Sequence, residues 1–368
     1  MGASKINTDP HSARTAYLVL GMHRSGTSAV SQLLSLAGCD LPRNLMPGDD
    51  HNAQGYFEPW KIALFDDERL RAAGAAWDDP FAFPFEALPA AIERKWAARA
   101  GALFDEEYGD VAWPLIKDPR VTLLLPFWRK VLARRKIALR CVIPVRHPLA
   151  VAGSLRRRDG FTDTKSVLVW TAYMLAAEAY TRDLPRAFIS YDALLADWRG
   201  QVKRLEVAHG ASLPRVTPAA ARRISAALTP DLRHNADQPG LAQLGWCGAL
   251  AEHAYAWFAA AARDETPPHA ELAAVAAELE DWRQKIGALV SPAAHALDTV
   301  RAELAETRRG LAVAAALEAE LRGDLARQRE VLEGGWRRDV ADLRRDVSDL
   351  KDVLGGLDAE LDIALSDD

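Results

Sequence analysis

An apolar run, a glycine loop and a second apolar segment follow one another near the start of the chain, and this order constrains the fold. Residues 16–20 read Ala-Tyr-Leu-Val-Leu, which is typical of a buried strand. Residues 29–38 read Ala-Val-Ser-Gln-Leu-Leu-Ser-Leu-Ala-Gly, which predicts a helix that ends at glycine. The arrangement predicts an α/β fold, with backbone N–H groups of the loop and the helix N-terminus favouring a bound anion.

The loop itself departs from the phosphate loop of nucleotide triphosphatases. It reads Gly21-Met22-His23-Arg24-Ser25-Gly26-Thr27-Ser28. Thr27 stands where such enzymes need a lysine, and the cation is Arg24 instead. Because arginine is always charged and offers a fork of donors, it suits two oxygens of a phosphate or sulfate. We interpret the loop as an anion site, the alternative being a purely structural turn.

A second segment, residues 141–154, also combines an apolar strand, a turn with an arginine and a following helix. An apolar strand ends in Arg146, a proline turn follows, and Ser154 lies eight residues after the arginine in the next predicted helix. Pro148 is compatible with a first helical turn. Arg146 and Ser154 are therefore expected to converge on one phosphate, although this spacing alone also fits a surface arginine and an ordinary helix serine.

Two further segments supply charged groups for chemistry. Residues 115–118, Leu-Ile-Lys-Asp, form a predicted strand that ends in Lys117 and Asp118, at the sheet edge where ligands collect. Glu58 follows the aromatic pair Tyr56-Phe57. A positioned carboxylate can remove a proton from a hydroxyl, so Glu58 is a candidate general base. The alternative is that Glu58 only caps the helix beginning near Pro59.

These motifs together resemble the sulfotransferase family, which uses 3′-phosphoadenylyl sulfate (PAPS). Residues 21–28 are similar to the family's 5′-phosphosulfate loop, and residues 141–154 are similar to its 3′-phosphate motif. The match is to bacterial sulfotransferase-like proteins in particular. The resemblance implies that PAPS is bound and 3′,5′-adenosine bisphosphate released, with these cofactor-binding residues: Gly21, His23, Arg24, Ser25, Gly26, Thr27, Ser28, Arg146, Ser154 and Tyr191.

The resemblance also implies catalytic roles. Lys117 would assist the departing sulfuryl group, with Arg24 holding its charge, and no metal is needed. Some branches of the family have a histidine two residues after that lysine, but this chain has Pro119 there. The acceptor proton would therefore go to Glu58, or to Asp118 as the second candidate. The implied acceptor is a hydroxyl of a carbohydrate or cell-surface glycan.

Two assignments within the resemblance are weaker. Tyr191, in a segment similar to one that sulfotransferases place near the nucleotide, would contact adenine, but a core tyrosine with a hydrogen-bonded hydroxyl is the more common case. Arg233 and His234 lie in a polar stretch where the family often has a basic loop closing over the site, and a solvated loop is the preferred interpretation.

Two other function classes remain open from the sequence. A P-loop nucleotide kinase or triphosphatase would use Asp118 to bind Mg²⁺, but Thr27 in place of lysine counts against it. A nucleotide-binding scaffold without activity would act through the C-terminal segment. The presence of every matched charge in the cofactor motifs disfavours such a decayed site.

Charge and cysteine content restrict the partners and the compartment. The formal net charge of −5 gives no sign of a general nucleic-acid binder. Cys39, Cys141 and Cys247 are far apart and odd in number, which is typical of reduced thiols in a cytoplasmic protein. Residues 1–14 are polar, lack a secretory signal and are expected to be disordered. No apolar run is long enough for a membrane span.

Between the motifs, predicted strands alternate with predicted helices, which indicates a mostly parallel sheet flanked by helices over residues 15–290. The strands are expected at residues 16–20, 115–117, 137–145 and 187–190. The helices are expected near residues 27–37, 60–73, 86–107, 121–135, 149–158, 164–182 and 192–209.

The C-terminal region, residues 291–368, has a different pattern. Turn signals at Pro267-Pro268 and Ser291-Pro292 precede it. A heptad-like seam starts at Leu297, Val300, Leu304 and Leu311, and then continues at Trp336, Val340, Leu343, Val347, Leu350, Leu354, Leu357 and Leu361. Steps of four and three residues predict a coiled coil. The seam, within residues 293–361, would join identical chains or a partner helix; a helix folding back on the catalytic domain is the alternative.

Overall fold

A four-stranded parallel sheet organises the molecule. The computed structural model describes residues 14–48, 55–85, 87–229 and 240–366. Within these ranges the strands are β1 (Thr15–Val19), β2 (Leu115–Lys117), β3 (Ala138–Val145) and β4 (Arg186–Ser190). They lie in the order β2-β1-β3-β4, and each neighbouring pair is parallel. Because the chain leaves β1 toward β2 on one side and returns to β3 on the other, the crevice at the carboxyl end of β1 is the expected ligand position.

Helices cover both faces of the sheet, as predicted. In chain order the described helices are α1 (Thr27–Leu36), α2 (Trp60–Ala72), α3 (Ala90–Tyr108), α4 (Pro119–Leu123), α5 (Leu125–Ala133), α6 (Pro148–Asp159), α7 (Asp163–Ala179), α8 (Tyr191–Ala196), α9 (Trp198–His209), α10 (Pro218–Ala227), α11 (Gly245–Ala261) and α12 (His269–Ser366), with a 3₁₀ segment at Leu241–Leu244.

Alternate residues of β1 point into two separate cores. Ala16 and Leu18 belong to one buried cluster, and Tyr17 and Val19 belong to the other. All four side chains are fully buried. Burial on both faces explains why the strand is a continuous apolar run, without the alternation of a half-exposed strand.

Two helices predicted as continuous are each divided in two. The helix expected over residues 121–135 is interrupted at Leu124, because Pro126 lies in the first turn of α5 and has no N–H for a helical bond to the preceding turn. The helix expected over residues 192–209 is interrupted at Asp197, whose side chain accepts a hydrogen bond from Gly200 N and so caps α9.

The break expected at Ser291-Pro292 is wrong, because α12 continues through Pro292. A proline inside a helix costs ~3 kcal/mol. Packing on both sides of it offsets this cost, since Val290 lies against the main core and Ala294 is buried. The turn signal at Pro267-Pro268, in contrast, does separate α11 from α12.

The described residues up to Thr299 form one compact unit, and those from Val300 form a second. Residues 291–299 of the expected helical region thus belong to the first unit. The expected disordered segment lies, except for Arg14, outside the described residues. Among the helices described, none combines the length and apolar character needed to cross a membrane.

Candidate active site

The glycine loop after β1 is held in an unusual backbone conformation. Gly21, Arg24 and Gly26 have φ values of 123°, 66° and 95°, all in the left-handed region. Gly21 N donates a hydrogen bond to Thr122 Oγ1 at 2.8 Å, which ties the start of the loop to α4. Gly26 is the N-cap of α1, and no side chain caps this helix. Its first-turn N–H groups are therefore left to the loop and to any anion held there.

Hydrogen bonds join the loop to the second motif. Arg24 Nε donates to Ser154 Oγ at 2.7 Å, although the two residues are 130 positions apart. Arg146 Nη1 donates to the carbonyl oxygen of Arg24 at 2.9 Å. The structure thus brings together the three side chains that the sequence placed in two separate motifs, at the carboxyl ends of the neighbouring strands β1 and β3.

Tyr191, the first residue of α8, forms a wall of this cluster. The guanidinium of Arg146 lies 4.5 Å from the centroid of its ring. Tyr191 also contacts the glycine loop: a Cβ added to Gly26 would lie 2.4 Å from Tyr191 Cδ2. The tyrosine is buried. Its ring therefore supports Arg146 and requires glycine at position 26.

The arginines of the cluster repel one another in a partly desolvated place. Burial lowers the pKa of Arg24, and the nearby charges of Arg158 and Arg146 lower it further. Burial also lowers the pKa of Arg146, with Arg157 adding to the effect, while Tyr191 and Asp192 oppose it. Since a guanidinium remains charged throughout the physiological range, the cluster is stabilised by an anion placed among these groups.

A buried ion pair lies beside the loop. Lys117 Nζ donates to Glu58 Oε1 at 2.5 Å, and each side chain is only 3% exposed. Burial lowers the pKa of Lys117, and the charge and hydrogen bond of Glu58 oppose that change. The cap of α2 is Pro59, without a side-chain hydrogen bond, so the capping interpretation of Glu58 is wrong.

Asp118, the second candidate base, is enclosed in the protein. Its Oδ1 accepts hydrogen bonds from Arg120 N at 3.1 Å and from Arg120 Nη1 at 2.9 Å, and the residue is fully buried. Burial, followed by the negative charge of Asp118, raises the pKa of Asp66 well above its ordinary value. A neutral Asp66 can donate its proton to Asp118. These contacts make Asp118 a support for α4 and Arg120.

A pocket of about 400 Å³ opens next to the ion pair, and Glu58 is in its wall. His23 also lines it, and His23 Nε2 is buried with no hydrogen-bond partner in the described part of the chain. The ring lies edge-on to Trp77, with centroids 4.7 Å apart. Burial, and then the positive charges of Arg158, Arg120, Lys117 and Arg24, lower the pKa of His23 well below its ordinary value. The imidazole is therefore neutral at physiological pH.

The sequence did not single out several pocket residues, among them Trp77, Arg120 and Arg158. Arg120 follows the Lys-Asp-Pro segment directly, so its position was a usable signal. Arg158 ends a run of three arginines at the end of α6 and lies 5.7 Å from the Trp77 ring centroid. Trp77 carries no such signal. Arg233 and His234 lie outside the described residues.

No family model and no curated protein matches this chain. Among solved structures, it is similar to the sulfotransferase domain of the Synechococcus PCC 7002 olefin synthase, with 16% identity, a TM-score of 0.36, and 74% of this chain and 97% of that one covered. It is also similar to sulfotransferase STF1 from Mycobacterium tuberculosis H37Rv, with 14% identity, a TM-score of 0.37, and 66% and 77% covered.

A third solved structure is the sulfotransferase domain from the curacin biosynthetic pathway, with 13% identity, a TM-score of 0.36, and 72% of this chain and 97% of that one covered. At these identities and TM-scores the similarity assigns neither an activity nor a ligand. The assignment of function therefore rests on the side chains of the site.

Proposed function

We propose that this protein is a sulfotransferase, which moves a sulfuryl group from PAPS to a hydroxyl acceptor. The observation that carries the proposal is the joined cluster of Arg24, Ser154 and Arg146 at the carboxyl ends of β1 and β3. Arg24 and Arg146 follow two neighbouring strands, and two such cations suit a ligand with two separate anionic groups. Fixed cations and backbone N–H groups can offset the charge of the transferred group in place of a metal ion.

The residues of the cluster fit such a donor. Arg24 and the amides of Ser25 to Ser28 would hold the 5′-phosphosulfate, and Arg146 and Ser154 would hold the 3′-phosphate. Ser25 Oγ is buried and has no hydrogen-bond partner among the described residues, as expected of a hydroxyl that donates to a ligand. When bound, PAPS supplies an activated sulfuryl group. The ring of Tyr191 supports the Arg146 guanidinium.

Glu58 is the proposed general base. It lines the pocket, whereas Asp118 is enclosed by Arg120 and Asp66. Oε1 of Glu58 stays bound to Lys117, which orients the carboxylate, and Oε2 would accept the proton of the acceptor hydroxyl. The Lys117 ammonium group supplies a fixed positive charge at the same place.

The pocket supports a carbohydrate or glycan as the acceptor. Its wall combines the rings of Tyr56, Trp60 and Trp77 with the charged groups of Arg158 and Asp159. Flat apolar surfaces with a few polar groups between them suit a ligand that has both a hydrophobic face and many hydroxyls. The neutral His23 ring adds a hydrogen-bonding group to the same wall.

The site does not favour the kinase alternative. That function would need the Asp118 carboxylate for Mg²⁺, but Asp118 already caps α4 and binds the Arg120 guanidinium. Turnover of ATP that requires Mg²⁺ would contradict the proposal in favour of this alternative.

Calorimetric titration with 3′,5′-adenosine bisphosphate tests the donor site. We expect the wild type to bind with a micromolar or lower dissociation constant in the absence of metal. Arg24→Ala and Arg146→Ala should each weaken binding by ~10–100-fold, because each removes charge-assisted hydrogen bonds worth ~1.5–3 kcal/mol.

Arg222→Ala is the matched control, because Arg222 is an exposed arginine of α10. It should bind the nucleotide like the wild type. If the wild type does not bind, or if all three variants bind equally, the donor assignment is wrong.

A further inference from the structure

The second compact unit carries an unburied apolar face on α12. Trp336, Leu343, Val347, Leu350 and Leu354 are 75%, 62%, 52%, 61% and 60% exposed. They recur at steps of seven, four, three and four residues, so they share one side of the helix. An exposed apolar row of this kind marks an interaction surface, and an isolated helix gains most of its stability from covering one.

The residue types in the row are those of a two-stranded coiled coil. In heptad notation Val340, Val347 and Leu354 occupy position a, and Trp336, Leu343 and Leu350 occupy position d. A β-branched residue at a together with leucine at d favours two parallel strands over three or four. Two consecutive heptads, beginning at Val340 and Val347, have this combination.

The charges beside the row indicate which helix is the partner and whether it runs parallel or antiparallel. Asp339 and Asp346 occupy position g, and Arg344 and Lys351 occupy position e. In a parallel, in-register pair, each g residue faces the e residue five positions later on the other helix. Asp339 would then face Arg344, and Asp346 would face Lys351, on a second copy.

The antiparallel arrangement would place like charges together, because g then faces g and e faces e. Within the described residues none of these four side chains forms an ion pair of its own. All four are exposed and available to a partner helix.

We propose that residues 336–354 pair with the same segment of a second copy of this chain, in parallel and in register, to form a two-stranded coiled coil. The proposal rests on this helix alone and does not depend on the proposed enzymatic activity.

Sedimentation equilibrium of the full chain at low salt tests the pairing. We expect the wild type to be a dimer. The variant Asp339→Lys with Asp346→Lys should dimerise at least ten-fold more weakly, because like charges then face each other across the pair. Mixing it with the variant Arg344→Glu plus Lys351→Glu should restore dimers that contain one chain of each kind.

Asp349→Lys with Asp352→Lys makes the same change of charge at outer positions c and f, and should dimerise like the wild type. A monomeric, trimeric or tetrameric wild type would overturn the proposal. So would a dimer that the g-position changes do not weaken, since this result is expected of antiparallel helices.

Cross-linking provides a second measurement that does not depend on charge. Leu350→Cys places a thiol at a core position that faces its own copy only in a parallel, in-register pair. Mild oxidation with copper phenanthroline should convert most of this variant to a covalent dimer, whereas Asp352→Cys at the outer position f should remain uncoupled. Cys39, Cys141 and Cys247 are buried and should not interfere. Equal coupling of the two variants would contradict the arrangement.

Discussion

Gly26 is constrained twice by the loop that it ends. Its φ of 95° is unfavourable for any residue with a Cβ, and the space that a Cβ would need is filled by Tyr191. Gly160, which ends α6, has a φ of 69° but nothing within 4 Å of a Cβ. Substitution of Gly160 therefore measures backbone strain alone, whereas substitution of Gly26 measures backbone strain together with a steric clash.

We expect Gly26→Ala to lower the free energy of unfolding by ~2–4 kcal/mol, because strain of ~1–2 kcal/mol adds to a forced displacement of the Tyr191 ring. Gly160→Ala should cost only the backbone strain of ~1–2 kcal/mol. Urea unfolding measures both, and Gly26→Ala should also weaken binding of 3′,5′-adenosine bisphosphate. Equal costs for the two variants would show that the contact with Tyr191 is unimportant.

Glu58 can be tested with a change that keeps its shape. Glu58→Gln should reduce turnover by ~10²–10⁴-fold, because the amide cannot accept the acceptor proton. Its Oε1 can still accept the hydrogen bond of Lys117, so nucleotide binding should stay close to wild type. Acceptor-dependent release of 3′,5′-adenosine bisphosphate measures turnover, with Glu106→Gln as the control, since Glu106 pairs with Lys61 on the surface. Undiminished turnover in Glu58→Gln would rule it out as the base.

At the scale of elements, α9 is joined to the sheet by a buried histidine. His209, the last residue of α9, has its Nε2 3.0 Å from the carbonyl oxygen of Cys141 in β3. Burial lowers the pKa of His209 to about 4, although the hydrogen bond to Cys141 opposes this change. The neutral imidazole therefore holds the helix against the strand.

This pKa predicts how stability depends on pH. Between the unfolded pKa of ~6.5 and the folded value, the unfolded chain binds more protons than the folded chain, so stability falls as pH decreases. His209 should contribute up to ~1.4 kcal/mol per pH unit in this window. His209→Gln keeps a polar group but does not titrate. Urea unfolding at pH 7, 6 and 5 should show a shallower loss for the variant, and parallel curves would contradict this assignment.

At the scale of the whole molecule, α12 contributes its first part to the main compact unit. His295 Nε2 lies 3.2 Å from the carbonyl oxygen of Arg71, and Arg71 Nη1 donates to Asp298 Oδ2 at 2.9 Å. Both contacts lie beyond the domain boundary that the proline at position 292 suggested. The main unit therefore uses residues up to Thr299.

A pair of truncated chains tests this. A chain that ends at Thr299 should unfold at the same temperature as the full chain in its main transition and should still bind 3′,5′-adenosine bisphosphate. A chain that ends at Ser291 loses Asp298 and His295, and we expect its Tm to fall by ~2–12 °C, since the lost polar contacts are worth ~1–3 kcal/mol and each kcal/mol shifts the Tm of a large domain by ~2–4 °C. Equal Tm values would place the boundary at Pro292 after all.

The strands, the glycine loop and the polar residues at the carboxyl ends of the strands could all be predicted from the amino-acid sequence. These features are local, because a buried strand, a left-handed glycine and a helix start are each specified by a few neighbouring residues. It also placed Arg24, Arg146 and Lys117 at one sheet edge, since parallel strands bring their carboxyl ends together.

The pairing of these groups could not be predicted from the sequence, because the partners are far apart along the chain. Arg24 binds Ser154 across 130 positions, and Lys117 binds Glu58 across 59. The same is true of Trp77 and Arg158 in the pocket wall, and of the helix that continues through Pro292. Burial and charge pairing depend on which distant side chains share a desolvated space. Local propensity and residue spacing do not indicate which distant side chains become partners.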